Sequence, residues 1–448
     1  MTTDNMPVSP AGAPERQRIT PGARRAIFAS TLGTVIEWYD YALYGVAAGL
    51  VISPLFFPGQ VAGRGLLLAL ATFAVGFLIR PLGGLMIAHI GDRYGRRPAM
   101  LLTILLMGVA TVGMGLLPTA ATIGVWAPIL LVVLRALQGF GAGAELSGAL
   151  TVAAEYTPEH RRGFFTSIIN MSSGIGSALA MLAFLAVSAL PQEVLLGGAW
   201  RIPFLLSGVL FLLALYIRKR LEETPEYVAA QQKHESEVEQ SAPVAEVFRA
   251  DPKRAVLAIL LWSGHNANTY VVITFALGYL TTTVGMDRPT ALVITVTAAL
   301  LGGAATPIWG LVADRIGYKR QYLGIMVFAV VAVVPYFWML STGNVVLVSI
   351  GMFIASCLIW GATQASAGAV TTNLFPVEYR FSGVAVAKEI NAAAVAGPTP
   401  LIAAALVAAA GGRPYTAAIF IGACFVVTIV SLLALGKRVG DVPAESLT

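Results

Sequence analysis

The sequence predicts an all-α polytopic membrane protein of twelve transmembrane helices, arranged as two six-helix pseudo-symmetric halves. Three observations carry this. Of the 448 residues 57% are hydrophobic and 12% charged, with a mean hydropathy of +0.77, whereas soluble domains carry about 25% charged residues. Charge-free runs recur at lengths suited to a bilayer, which a helix crosses in about 20 residues. Two motifs at helix ends also occur twice, half a chain apart. The composition excludes a soluble enzyme or a nucleic-acid binder. The formal net charge of +6 reflects basic residues collected in loops on one side of a membrane, and the 46 Gly and 24 Pro are at home in membrane helices.

Taken in order, residues 1-24 are polar, with Pro7, Pro10, Pro14 and Pro21, and are expected to form a cytoplasmic tail. Arg24 and Arg25 imitate a twin-arginine signal. The apolar stretch that follows contains Glu37 and Asp40 and lacks a cleavage site, so it reads as a retained first span. Spans are expected near 26-52, 66-90, 99-117, 126-154, 164-189 and 202-217 in the N-terminal half (25-217). Those of the C-terminal half (255-436) are expected near 255-283, 290-312, 321-340, 345-371, 382-409 and 415-436. The run from Gln321 to Val377 shows the logic: 57 residues without Asp, Glu, Lys or Arg, broken by Ser341-Thr342-Gly343-Asn344, must be two helices. The central loop, 218-254, is rich in charge; its Lys233 to Glu239 segment reads as a solvated helix face. A short tail, 437-448, closes the chain.

Basic residues then orient the spans. With both termini inside, 22 of the 29 Lys and Arg fall in cytoplasmic segments. Arg64, Arg201, Arg288 and Arg413 fall outside, and Arg80, Arg135 and Lys388 lie within spans. This asymmetry predicts a multi-pass protein of the inner (plasma) membrane with both termini cytoplasmic.

The halves read as repeats. Gly91-Asp92-Arg93-Tyr94-Gly95-Arg96-Arg97 follows helix 2, and Asp314-Arg315-Ile316-Gly317-Tyr318-Lys319-Arg320 follows helix 8, with the aspartates 222 residues apart. Pro158 after helix 4 and Pro376 after helix 10 are 218 apart. Duplicated halves rocking about a midplane site are the usual build of a secondary transporter.

The Gly91 to Arg97 loop, its copy at Asp314, and Arg135-Ala136-Leu137-Gln138-Gly139 resemble the major facilitator superfamily. The opening Gly33-Thr34-Val35-Ile36-Glu37-Trp38-Tyr39-Asp40-Tyr41 narrows the likeness, as do Arg80-Pro81-Leu82-Gly83-Gly84, Trp200-Arg201-Ile202-Pro203-Phe204 and Glu223-Thr224-Pro225-Glu226. Together they resemble its metabolite:proton symporter branch, which includes shikimate, α-ketoglutarate, citrate and proline/betaine carriers. The resemblance implies an alternating-access carrier that uses a proton gradient and no cofactor. It also implies that the loops at Gly91, Asp92, Arg93, Gly95, Arg96, Arg97 and at Asp314, Arg315, Gly317 gate the two conformations. Asp92 is expected to meet the start of helix 11, where free N–H groups favour an anion.

Ionisable groups inside a membrane are costly and mark function. The acids are Glu37, Asp40, Glu145 and Glu389; the bases are Arg80, Arg135 and Lys388. One acid in excess is the kind of group that binds and releases a proton. Glu37 and Arg80 lie at similar depth, about 18 Å in, and are expected to pair. Glu37 and Asp40 share a helix face. Arg135 lies nearer the outside, with Gln138 one turn below. The resemblance ties an arginine at this place to proton coupling, which makes Asp40 with Arg135 the leading relay pair and Glu37 and Glu145 its rivals. Candidate substrate contacts are Arg80, Arg135, Gln138, His265, Asn266, Asn268, Trp360, Gln364 and Lys388, polar or aromatic groups within the spans. For His265 a structural hydrogen bond is the competing reading.

No metal-ligand spacing is present. Cys357 and Cys424 sit in apolar runs, and Gly139, Gly141, Gly143 and Gly148 lack a surrounding βαβ unit, so they serve helix packing. The expected function is proton-coupled uptake of a small organic acid by a monomer in the bilayer, with no nucleic-acid partner and no enzyme activity. A proline/betaine-type osmolyte symporter, a proton-antiport exporter and a non-transporting receptor are the alternatives. The short C-terminal tail disfavours an osmosensor.

Overall fold

The computed structural model describes residues 21–60, 63–94, 96–143, 162–219, 248–249, 251–375 and 380–436. Among these, twelve principal helices follow one another. α1 comprises Pro21–Ala47, a π-helical turn Ala48–Ile52, and Ser53–Phe56; α2 is Arg64–Tyr94, α3 Arg96–Leu116, α4 Trp126–Ala142, α5 Arg162–Ser188 and α6 Arg201–Lys219. α7 runs from Pro252–Leu261 through Ser263–Tyr270 and a π turn Val271–Phe275 to Ala276–Thr282. α8 is Arg288–Ile316 and α9 Tyr318–Ser341; α10 joins Val345–Phe353 to Gly361–Thr372 through the π turn Ile354–Trp360. α11 joins Arg380–Asn391 to Pro398–Ala409 through the π turn Ala392–Ala396, and α12 is Tyr415–Leu435.

Ten of these are long and apolar enough to cross a membrane; Gln192–Ala199 and Arg201–Ile217 form an eleventh, bent by 42°, and Trp126–Ala142 is a shorter apolar helix. The expected spans are present, with shifted ends. α1 is described from Pro21, ahead of the start expected near 26. α2 extends to Tyr94, so Asp92 lies in its last turn, just as Asp314 lies two residues before the end of α8. The second half of the span expected at 126-154, with Glu145, and the central loop, apart from residues 218–219, 248–249 and 251–254, lie outside the described residues.

Local chemistry sets the helix starts in the C-terminal half. The carboxylate of Asp251 accepts from the Arg254 N–H (2.9 Å). Asp287 accepts from the N–H and hydroxyl of Thr290 (3.3 and 3.1 Å). Asn344 accepts from the N–H of Val346 and of Leu347 (3.0 and 3.2 Å). Each satisfies donors that a helix start leaves open. Gly317, at φ +92°, makes the turn between α8 and α9 that a side chain would strain.

The assembly is inverted relative to a soluble protein. Leu212, Val331 and Ile419 point outward, each about 70% exposed, as lipid-facing residues do. Glu37, Asp40, Arg80, Arg135, Gln138, His265, Asn266 and Asn268 are buried. Helices α1, α2 and α5 meet α7, α8, α10 and α11 across the line between the halves. α5 and α8 approach so closely that a Cβ on Gly174 would stand 2.7 Å from the Ala299 oxygen. Trp38 stacks on Tyr270, centroids 6.3 Å apart, joining α1 to α7. Lys319 at the start of α9 donates to the Gly436 oxygen beyond α12, and Arg254 reaches the Leu374 oxygen (3.2 Å); these ends define one face, here called the chain-end face. On the far face a cavity of about 210 Å³ opens between the halves, lined by residues such as Gly45, Leu70, Thr274, Thr282 and Val407.

Candidate functional site

Two buried clusters stand out, one where the halves meet and one within the N-terminal half. The first centres on Arg80 of α2. Its Nη1 donates to Glu37 Oε1 (3.1 Å) and to the Tyr41 hydroxyl (2.7 Å), both on α1. Its Nε and Nη2 grip Glu389 of α11 at 2.7 and 3.1 Å. The side chains are 5% (Arg80), 4% (Glu37) and 11% (Glu389) exposed. The Glu37 contact is the one that equal depth in α1 and α2 implies. Glu389 is one of the four intramembrane acids, but its pairing with a residue 309 positions away carried no local signal.

The second cluster surrounds Asp40. Sequence reading makes it a relay pair with Arg135; the structure threads the two through side chains. Arg135 Nη1 donates to Gln138 Oε1, Gln138 Nε2 to the Thr111 hydroxyl (2.7 Å), and that hydroxyl to Asp40 Oδ2 (2.9 Å). Ser207 donates to Oδ1 at 3.2 Å. The reason is geometric: α3 and α6 pack beside α1 and present hydroxyls at the depth of Asp40, so neutral donors fill its shell. Thr111 and Ser207 were not foreseen; a Thr or Ser amid an apolar span is the only trace they leave. Arg135 is fully buried and lies over the Tyr44 and Phe73 rings at 4.2 and 5.1 Å.

The candidates on α7 bond to other residues of the C-terminal half. His265 Nδ1 bonds Thr363 (2.8 Å), Asn266 donates to Asn391 (2.7 Å), and Asn268 donates to the Ala355 oxygen (3.0 Å). Asn391 in turn donates to the Ile259 oxygen and Ser263. These contacts link α7, α10 and α11, as the structural reading of His265 anticipates. Trp360 is buried with its ring against Gly302, and its Nε1 has no hydrogen-bond partner among the described residues. Gln364 is half-buried, and its backbone oxygen accepts from Asn170 of α5 (3.3 Å), a second link between the halves. Lys388 is half-buried, its ammonium 5.7 Å from the Trp262 ring centre. Asp314, at the helix end as expected, accepts from the Tyr318 hydroxyl. Gly91 and Arg93 fall in the last turn of α2, and Arg96 and Arg97 in the first of α3. Gly95, the side chain of Asp92 and its partner lie outside what is described.

A two-half helical bundle with buried charge at the seam and a cavity on one face is the build of a membrane transporter. The chain belongs to the Major Facilitator Superfamily, whose family pattern it matches over residues 30–398; these are transport proteins, not enzymes. It is 36% identical to the shikimate transporter of Escherichia coli K12 over 413 residues, covering 92% of this chain and 94% of the other. It is 34% identical to the proline/betaine transporter of Escherichia coli K12, covering 86% and 78%. Identity to the ectoine/proline transporter of Corynebacterium glutamicum is 33%, covering 85% and 77%. Among solved structures it superposes on the xylose transporter of Escherichia coli in a partially occluded inward-open conformation, with TM-score 0.74 and 17% identity over 94% and 99% of the two chains. That likeness speaks for the fold.

Proposed function

We propose that this transporter takes up a small organic acid together with a proton, by alternating access, in a cytoplasmic membrane with both termini inside. The observation that carries the reading is the setting of the described buried acids. Glu37 and Glu389 are bonded to Arg80, whereas Asp40 is bonded to hydroxyls. Asp40 meets its basic neighbour only through Gln138 and Thr111, so it is the acid that can take a proton without breaking an ion pair. Taking up a proton adds a positive charge to the resting state of the site, and a single substrate carboxylate cancels that change. Uncompensated charge in a low-dielectric interior is costly, so proton and anion favour each other's entry.

The aromatic faces at the seam support an anion over a quaternary ammonium ion. Tyr41, Tyr44, Phe73 and Phe77 already carry the guanidinium groups of Arg80 and Arg135, which occupy the positions a ligand cation would take. Similarity to a shikimate transporter agrees with this, while the proline/betaine relatives keep an osmolyte as the competing substrate.

The test is the internal pH of liposomes holding the purified protein, on addition of shikimate, α-ketoglutarate, citrate, aromatic acids, proline or betaine. Acidification with an acid and not with proline or betaine is expected. Acidification by betaine or proline alone would replace the acid reading with the osmolyte one.

A further inference from the structure

The Arg80–Glu389 contact has the two-pronged form by which a guanidinium holds any carboxylate. Arg80 is oriented from its other edge by Glu37 and Tyr41, both on its own half. It therefore stays aimed across the seam whether or not Glu389 is there. Glu389 is about 14 Å along α11 from Arg380 at the chain-end face. On the far side, the same four helices α1, α2, α7 and α11 part around the cavity. Between cavity and ion pair stand Phe73 and Phe77 from one half and Tyr270 from the other. Their rings meet edge-on at 6.0 Å (Phe73–Tyr270) and 5.1 Å (Phe77–Tyr270).

We infer that Glu389 occupies on Arg80 the place the substrate's carboxylate takes during transport, and that this exchange unlatches the halves on the chain-end face. This rests on the organic-acid reading above. Pulling Arg80 and Glu389 apart alone would strand two buried charges, which is strongly unfavourable. Exchange avoids that. The arriving carboxylate replaces each bond to Arg80, and the released Glu389 is hydrated as the chain-end side parts. A molecule without a carboxylate makes no such exchange, so the ion pair acts as a selectivity filter as well as a latch.

The test compares full-length wild type with Glu389→Gln and Arg80→Gln/Glu389→Gln, each checked for a monodisperse elution profile and a cooperative thermal transition. Shikimate, α-ketoglutarate and benzoate serve as probes, with methyl shikimate as the uncharged control. With its internal competitor removed, Glu389→Gln is expected to bind at least one of the acids about fivefold or more tightly than wild type, with no gain for the ester. The double variant loses that gain. Glu389→Asp, with the charge on a shorter arm, gives a smaller gain in the same direction. Hydrogen exchange of peptides covering 74–90 and 383–396 should quicken in ligand-free Glu389→Gln, and in wild type saturated with the acid. Equal affinity with unchanged exchange, a gain that survives loss of Arg80, or no acid binding to any variant overturns the inference. Proton-driven uptake in a wild type whose Glu389→Gln form shows neither change leaves the transport reading standing and removes the latch. An Arg80-dependent gain in affinity without proton-driven uptake does the reverse.

Discussion

At the scale of single residues, the two buried clusters divide the work. Arg80 is fully engaged with carboxylates, whereas Asp40 is surrounded by hydroxyls. A hydroxyl donates to a carboxylate and can equally accept from a carboxylic acid, so the Thr111 and Ser207 shell serves both protonation states of Asp40. Asp40→Asn is therefore expected to abolish accumulation driven by a pH gradient while leaving substrate exchange across liposomes measurable. Unchanged accumulation would take Asp40 out of the proton path. Thr111 is the link to Gln138 and Arg135. A hydrogen bond to a charged group contributes about 1.5–3 kcal/mol, so Thr111→Val should slow proton-driven uptake by about tenfold or more. Thr111→Ser should keep most of it, and initial rates of labelled substrate uptake would show the difference.

At the scale of helices, close approach is made by missing side chains. A Cβ on Gly139 of α4 would run into the Gly76 oxygen of α2. Backbones this near are how helices associate in lipid, where no hydrophobic force pulls them together. Gly139→Leu should lower stability by at least the ~1–3 kcal/mol of an overpacked core, read as a reduced thermal transition in detergent. Gly174 is different, because its neighbours Ala299 and Gly303 belong to the other half. Gly174→Leu should spare the transition of each half and arrest transport, since the wedge lies at the surface that must rock; normal transport by this variant would mean that α5 and α8 do not slide. Four of the five described π turns fall in α1, α7, α10 and α11, helices that line the seam, as such turns often do at functional sites; the fifth, Leu195–Ala199, precedes α6.

At the scale of the whole molecule, charge balance makes a prediction of its own. One proton entering with one carboxylate carries no net charge. Accumulation of a monocarboxylate should rise about tenfold per unit of pH gradient and ignore a potassium diffusion potential. Entry of a proton with a zwitterion would instead follow the potential, worth about 2.3 kcal/mol per 100 mV. Measuring uptake at fixed pH gradient with and without valinomycin separates the two.

Composition and charge spacing alone determined that this is a membrane protein and where its apolar helices run. A bilayer imposes length and polarity on every span regardless of its neighbours, so that information is local and survives in the sequence. Depth along each helix was also legible, and it brought Glu37 to Arg80. Only the tertiary structure decided the remaining partners. It set Glu389 on Arg80, placed Thr111 and Gln138 between Asp40 and Arg135, and tied His265, Asn266 and Asn268 to the C-terminal half. The physical reason is that a contact between spans depends on how each helix is rotated and which half it faces, and those choices are made jointly by the packing of all twelve.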